Sequence, residues 1–326
     1  MHKKSIINKI LLLIFVSISL EASILLEEYR QNGINEIQKR MDLQLTTKEY
    51  WAQYIKDKDT KFGYIESYSS ILTCNKEKSI LNLYSKDENQ TYSFKQNYDA
   101  FTGEVPGDKV KEGDLKTPIG IYELTKRIDK LDSFYGPLAL VTSYPNTYDT
   151  YRGKNGSGIW IHGLPINQKR DDFTRGCIAI NNENIECLDK IINIKKTILI
   201  INETETSKSV SKDLLSSILS QLYTWRYHWI YNDTEKYLEF YANDFVRKDK
   251  MALEEFKNYK IRIFNKKEKK EILFNDINII PYPNTQDVYQ ITFKEFYKSN
   301  SFSFIGDKTL IVRADNNNTI KIFTEE

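Results

Sequence analysis

The hydrophobic positions of this chain change their period three times between its large segments. From about 23 to 58 they recur at helical spacing: Ile24, Leu25 and Tyr29, then Ile34, Ile37 and Met41, then Tyr50, Trp51, Tyr54 and Ile55. Charges fill the other faces, and Gly33 is the weak point between two helices. Such a segment cannot bury its own stripe, so it packs on a neighbouring domain or on a second copy of the chain. From Phe62 the period shortens to that of strands. A hairpin is predicted at 71–74 and 80–84, and strands at 91–97, 121–124 and 138–141. Residues 102–114 form a loop rich in Gly and charge, and 144–157 a long polar loop leading to a strand at 159–162. A helix at 181–192 carries Ile185, Leu188, Ile191 and Ile192 on one side, and a strand at 197–201 closes the run. Over 214–230 the helical period returns, with Leu215, Ile218, Leu219, Leu222, Trp225 and Trp229 in one stripe. A second helical piece covers 234–243. Strands follow at 261–264, 271–280, 288–297, 303–305, 309–313 and 320–323.

These periods predict a multidomain chain. A helical arm spans 23–60, a mostly-β domain 62–202, a polar Ser/Thr-rich linker 203–212 and an α+β domain 213–326. The first 22 residues read as a signal peptide: His2, Lys3, Lys4 and Lys9 are its positive end, 10–20 its apolar run, and Ala22 its small cleavage residue. The run is shorter than the roughly 20 apolar residues of a spanning helix. A cleaved leader is therefore expected ahead of an uncleaved anchor, and both imply export to the periplasm. The length of 326 residues suits two or three domains. A net charge of +2 carries no strongly basic signature, so nucleic acid is not an expected partner. An aromatic share of 13%, with 22 tyrosines, points to a well-packed globular protein.

The chain has three histidines and three cysteines. An odd cysteine count in an exported chain leaves one thiol over. Cys74 and Cys187 either pair or stay as free buried thiols, and Cys177 is the reactive one left. His162 ends the strand at 159–162, and Cys177 opens an apolar run just after Gly176. A thiol and an imidazole so disposed suggest a nucleophile and its base: the thiolate attacks, and the imidazole takes and returns the proton. The competing reading is a small buried cysteine beside an unrelated histidine. No Cys/His/Asp spacing looks like a metal site, and no cofactor is expected.

His162-Gly163, then Thr174, Gly176, Cys177, Ile178 and Asn181, resemble the YkuD family of L,D-transpeptidase catalytic domains. That family carries His-Gly and, after a spacer, Ser/Thr-His-Gly-Cys. Its Thr-Pro-x-Gly segment is matched by Thr117-Pro118-Ile119-Gly120. Arg175 stands where the family usually has a second histidine, and Ala179 where it often has Arg. The resemblance implies a mostly-β sandwich over about 62–202, with a short helix near the nucleophile. It implies Cys177 as nucleophile, His162 as base and the Gly163 carbonyl as the group that fixes the ring. Backbone N–H groups of Arg175, Gly176 and Cys177 are the expected oxyanion hole. Arg175, Thr174 and Trp160 are the expected substrate contacts. The implied substrates are peptidoglycan stem peptides, whose terminal D-Ala is expelled to leave an acyl-enzyme. Water then gives L,D-carboxypeptidase activity, and an amine gives a cross-link.

The last domain resembles an NTF2-like cone, in which a curved sheet wraps a helix around a pocket. The similarity rests on Trp225-x3-Trp229 and on Tyr237, Leu238, Phe240, Tyr241 and Phe245. Trp225, Trp229 and Tyr241 would supply stacking faces to a cell-wall ligand, with Lys308 or Arg313 pairing a carboxylate. The same aromatics would serve equally as core. The whole combination resembles the L,D-carboxypeptidases that trim tetrapeptides and set cell shape in helical ε-proteobacteria. Two alternatives stand beside it: a cross-linking L,D-transpeptidase, and a non-catalytic cell-wall-binding protein. A homodimer through the N-terminal helices is a further expectation.

Overall fold

The computed structural model describes residues 2–166, 172–204 and 210–326, with side chains from residue 23 onward. The expected leader at 1–22 concerns side chains outside those described, and the expected linker at 203–212 falls partly outside the described residues. Among the described residues, no helix is long and apolar enough to cross a membrane.

Helix α1 (His2–Leu45) is broken at Gly33, whose φ of 76° and ψ of 174° are non-helical. Helix α2 (Lys48–Tyr54) and the two-residue strand β1 (Tyr64–Ile65) follow. The arm packs on the C-terminal domain. Trp51 lies 4.9 Å from the ring of Tyr223. Asp42 forms a buried ion pair with Arg226 at 2.9 Å. Ile37, Trp51 and Ile55 are buried, whereas Ile24, Leu26, Tyr29 and Ile34 stay exposed.

The middle of the chain comprises strands β2 (Ser70–Asn75), β3 (Ile80–Lys86), β4 (Tyr92–Phe101), β5 (Gly120–Ile128) and β6 (Ala139–Thr142), helix α3 (Thr147–Tyr151), strands β7 (Trp160–His162) and β8 (Ile178–Ile180), helix α4 (Asn182–Ile191) and strand β9 (Thr197–Asn202). The expected sandwich is a closed barrel, in the order β2-β3-β4-β8-β7-β6-β5-β9. Strand β9 closes it by pairing in parallel with β2 and antiparallel with β5, which leaves no free edge. Alternate residues point inward, so Leu72, Leu81, Leu83, Tyr98, Ile161, Ile178 and Leu199 fill the interior. Ile71, Ile121, Ile198 and Ile200 point outward into a second core shared with the C-terminal sheet.

Helix α3 corrects the long polar loop expected at 144–157. A capping box between Asn146 and Asp149 starts it. Its Tyr148 and Tyr151 pack on Phe323 of the C-terminal domain at 5.5 and 5.1 Å. Asp149 is wholly buried. It accepts from the Tyr122 hydroxyl at 2.9 Å and pairs with Arg152 at 2.8 Å and Lys154 at 2.9 Å. Five residues are too few to display a helical period, so only the tertiary setting reveals the helix.

The C-terminal domain holds helices α5 (Lys212–Ile230), α6 (Thr234–Leu238) and α7 (Leu253–Phe264), then strands β10 (Glu271–Pro281), β11 (Val288–Lys298), β12 (Ser303–Ala314) and β13 (Ile320–Glu325). The strand expected at 261–264 is instead the end of α7, whose Phe256, Lys260 and Phe264 are buried at every fourth residue. The pieces expected at 303–305 and 309–313 are one strand, and the helix expected at 234–243 stops at Leu238. The sheet runs β1-β10-β11-β12-β13, so a strand from before the barrel completes it. Trp51, Ile55 and Tyr64 share one core with Leu215, Trp225 and Phe274.

Candidate active site

Strands β7 and β8 run parallel, with Ile161 opposite Ile178 and His162 opposite Ala179. On the other side His162 faces Ala139 of β6. Because side chains alternate along a strand, Ile161 and Ile178 enter the core while His162, Ala179 and Ala139 share the outer face. Cys177, two residues before Ala179, belongs to that same face. Two alanines thus flank the imidazole.

His162 is 1% exposed. Its Nδ1 lies 2.7 Å from the Gly163 carbonyl oxygen. A carbonyl can only accept, so Nδ1 carries the hydrogen and Nε2 keeps the lone pair. Tyr135 packs edge-on against the ring at 5.1 Å and also lies 5.3 Å from Trp160. The Tyr135 carbonyl accepts from the Gly163 N–H at 3.0 Å. Gly163 has no room for a side chain: a Cβ there would sit 2.3 Å from Asn182 Oδ1 and 2.8 Å from Pro137 Cδ. Asn182 uses that oxygen to accept from the Leu164 N–H at 2.7 Å. The helix after Cys177 is thereby tied to the loop after His162.

The nucleophile loop is held by hydroxyls. Thr174 donates its N–H to Thr102 O at 2.7 Å. Its Oγ1 donates to Cys177 O at 2.7 Å and accepts from the Gly176 N–H at 3.0 Å. Thr117 Oγ1, from the Thr-Pro-x-Gly segment, lies 3.5 Å from the same Cys177 oxygen and accepts from the Gly103 N–H at 2.8 Å. Gly176 adopts a φ of 130°, and a Cβ there would sit 2.8 Å from Lys116 O. The Cys177 thiol donates to Gly158 O at 3.4 Å.

His162, Gly163, Thr174, Arg175, Gly176, Cys177 and Trp160 are therefore brought into one region of the barrel wall. One detail of the expected oxyanion hole changes. The Gly176 N–H is occupied by Thr174, which leaves the N–H groups of Arg175 and Cys177 as candidates. The Arg175 side chain is exposed, and no carboxylate among the described residues pairs with it. Cys74 and Cys187 are free, so the two form no disulfide. Tyr135, Asn182 and the role of Thr117 escaped the sequence reading. Each acts through backbone proximity between segments distant in sequence. Among the described residues, no group of three or more His, Cys, Asp or Glu could hold a metal ion.

The tail residues do not form the expected ligand surface. Trp225, Trp229 and Tyr241 are buried. They lie against other rings, with Trp225 stacked on Tyr237 at 5.5 Å and Tyr241 4.7 Å from Phe256. Lys308 pairs with Glu325 at 3.0 Å, and Arg313 lies 3.4 Å from Asp244 and over the ring of Phe323. The polar centre inside this domain is Lys260, which sits over the Trp229, Tyr237 and Phe256 rings at 4.7, 5.3 and 5.2 Å. Burial lowers its pKa to about 8, against the raising effect of Glu325.

Barrel and pair define the class: the YkuD L,D-transpeptidase catalytic domain family matches residues 69–201, and the Cds6 C-terminal NTF2-like domain family matches 217–326. The crystal structure of the helical cell shape determining protein Pgp2 from Campylobacter jejuni is 41% identical, with a TM-score of 0.78, over 86% of this chain and 99% of that one. The chain belongs to the same family as Pgp2. Bd1075 of Bdellovibrio bacteriovorus is 27% identical at a TM-score of 0.62, over 79% of this chain and 92% of that one. The putative L,D-transpeptidase YafK of Escherichia coli is 31% identical over 137 residues, which are 41% of this chain. The chain spans about half the length, 50%, of that curated relative.

Proposed function

We propose that the protein is a periplasmic peptidoglycan L,D-carboxypeptidase that removes the terminal D-Ala of stem tetrapeptides and contributes to cell shape. Cys177 gives its proton to His162 Nε2 and attacks the carbonyl of the third stem residue. The N–H groups of Arg175 and Cys177 hold the resulting oxyanion. The C–N bond then breaks, and His162 returns the proton to the departing D-Ala amine. Water, deprotonated by His162, cleaves the thioester and frees Cys177. The observation that carries this reading is the β7–β8 register, with the imidazole fixed through Nδ1. The similarity to Pgp2, a helical cell shape determining protein, supports the biological role.

Incubation with purified muropeptides tests the reading. Tetrapeptide should become tripeptide plus D-Ala, with a transient acyl adduct on Cys177 by mass spectrometry. Accumulation of cross-linked dimer in place of tripeptide would move the reading to a transpeptidase, and the absence of any adduct to a wall-binding protein. We further read 1–22 as a leader, 23–60 as an arm, 62–202 as the catalytic domain and 213–326 as the accessory domain. The exposed Ile24, Leu26, Tyr29 and Ile34 support a homodimer through the N-terminal helices. Sedimentation of the mature chain as a monomer at high concentration would refute that.

A further inference from the structure

Two backbone segments from different parts of the chain reach Cys177. The first is 115–119, just before β5. A Cβ on Gly176 would lie 2.8 Å from its Lys116 O, and its Thr117 Oγ1 lies 3.5 Å from Cys177 O. The second is 152–158, between α3 and β7. Its last residue, Gly158, accepts from the Cys177 thiol at 3.4 Å. The nucleophile therefore depends on both segments being held in place together.

The second segment has little of its own to hold it. Gly153, Gly156 and Gly158 all have positive φ, at 71°, 102° and 71°. A Cβ on Gly153 or Gly158 would meet no atom within 4 Å among the described residues. Glycine loses more conformational freedom on ordering than any other residue, so such a run needs anchors. Within 152–158, Lys154 is the one buried side chain. The anchor is polar. Asp108 Oδ1 accepts from Lys154 Nζ at 2.6 Å, and its Oδ2 accepts from Arg152 Nη1 at 3.0 Å. The same Oδ1 accepts from the Ile119 N–H at 2.8 Å. One carboxylate thus bonds both segments that reach Cys177. Two further bonds close the seam: the Asn155 N–H donates to Val110 O at 3.0 Å, and the Glu112 N–H to Asn155 Oδ1 at 3.0 Å.

We propose that Asp108 is a positioning residue of the catalytic site, a clamp that fixes the two segments against Cys177. Asp149 pairs with the same two cations, at 2.8 Å to Arg152 and 2.9 Å to Lys154. Of the two carboxylates, only Asp108 also bonds the 115–119 backbone. Asp149 therefore ties the cations to α3, and Asp108 carries that tie across to the segment beside the nucleophile. Bonds between ionised partners are about twice as strong as neutral ones, which suits a clamp on a glycine-rich run.

The proposal rests on Cys177 being the nucleophile, and its test reads the thiol apart from turnover. In the full chain, alkylation of Cys177 by iodoacetamide is followed across pH by peptide mass spectrometry. The Gly158 carbonyl bonds the thiol and repels the thiolate, so its release favours the thiolate. Asp108→Ala should move the alkylation midpoint down by about half a pH unit or more, the size of one neutral hydrogen bond. Asp108→Asn keeps an acceptor for Ile119 and loses the charge, and should shift it the same way by less. His162 on β7 and Arg175 in the nucleophile loop are unchanged in both variants, so the shift reports the clamp. In Asp108→Ala, kcat for D-Ala release should fall about tenfold with KM within about twofold. Asp42→Asn, which breaks the buried pair with Arg226 in the arm, should lower Tm and leave midpoint and kcat at their wild-type values. Should Asp108→Ala not fold, Asp108→Asn alone decides. A wild-type midpoint in the folded Asp108 variants, the same shift in Asp42→Asn, or a wild-type kcat in Asp108→Ala overturns the proposal. Failure of the enzymatic reading would show separately, as a wild-type chain that releases no D-Ala while the midpoint shift stands.

Discussion

At His162 the chemistry depends on what is small as much as on what reacts. Ala139 and Ala179 flank the ring on the neighbouring strands, and Gly163 brings its carbonyl to Nδ1. Cys177→Ala and His162→Ala should each lower D-Ala release by more than about 10³-fold, because the two act as one unit, while the chain still unfolds in a cooperative thermal transition. Turnover of tetrapeptide by Cys177→Ala would end the mechanism. Gly163→Ala should cost about 10²-fold, since a Cβ 2.3 Å from Asn182 Oδ1 must displace the loop that aims the imidazole. A grip of Arg175 on the substrate carboxylate through two parallel bonds predicts that Arg175→Lys loses about 1.5–3 kcal/mol in kcat/KM on tetrapeptide. Equal impairment on the C-terminally amidated peptide would refute the grip. Burial pushes the Cys74 thiol up to about 12, so at pH 8 it stays protonated. Iodoacetamide at that pH should label Cys177 and spare Cys74 in the folded protein, as read by peptide mass spectrometry. The pair and its loop were legible because the residues lie close in sequence and their order matches a motif. Tyr135 and Asn182 were not, since nothing in their local sequence reports which backbone approaches them.

Among the elements, legibility followed length. Strands with several alternations stood out, and so did α5 with its six-residue stripe. Helix α3 did not, although its Asp149 joins Tyr122, Arg152 and Lys154 at the domain interface. Asp149→Ala leaves Arg152 and Lys154 to Asp108 alone and strips the buried Tyr122 hydroxyl of its carboxylate acceptor, and should destabilise the chain by about 1–3 kcal/mol in a denaturant titration. The end of α7 was misread because four residues of alternating character satisfy either period. Its Lys260 sets a pH dependence. The folded chain releases this proton near pH 8 and the unfolded chain near 10.5, so between those values the unfolded state binds more protons. This group's contribution therefore favours folding increasingly as pH rises through that window. Relative to Lys260→Met, the wild-type Tm should gain from pH 7 to 10. A constant difference across that range would show that the ammonium is not desolvated as described.

For the molecule as a whole, the C-terminal core is built from both ends of the described chain. Trp51, Ile55 and Tyr64 belong to it as much as Trp225 does. The sequence pattern could mark a helical arm but not its destination, because an amphipathic stripe names no partner. A fragment of 213–326 alone should therefore show no cooperative thermal transition, and adding a peptide covering 36–66 should restore one. Independent folding of the fragment would contradict the shared core.

The edge strand β1 has a mechanical consequence. It and β13 border the same sheet, so the barrel is inserted between two pieces of one domain. Tension applied between the N-terminal arm and the C-terminus runs from β1 through β10, β11 and β12 to β13 and bypasses the barrel. Anchored at one end and pulled at the other, the chain would stretch its accessory sheet while its catalytic wall stayed unloaded. In an optical trap holding the two ends, the sheet should rupture first, and the barrel should unfold only in a later, separate step.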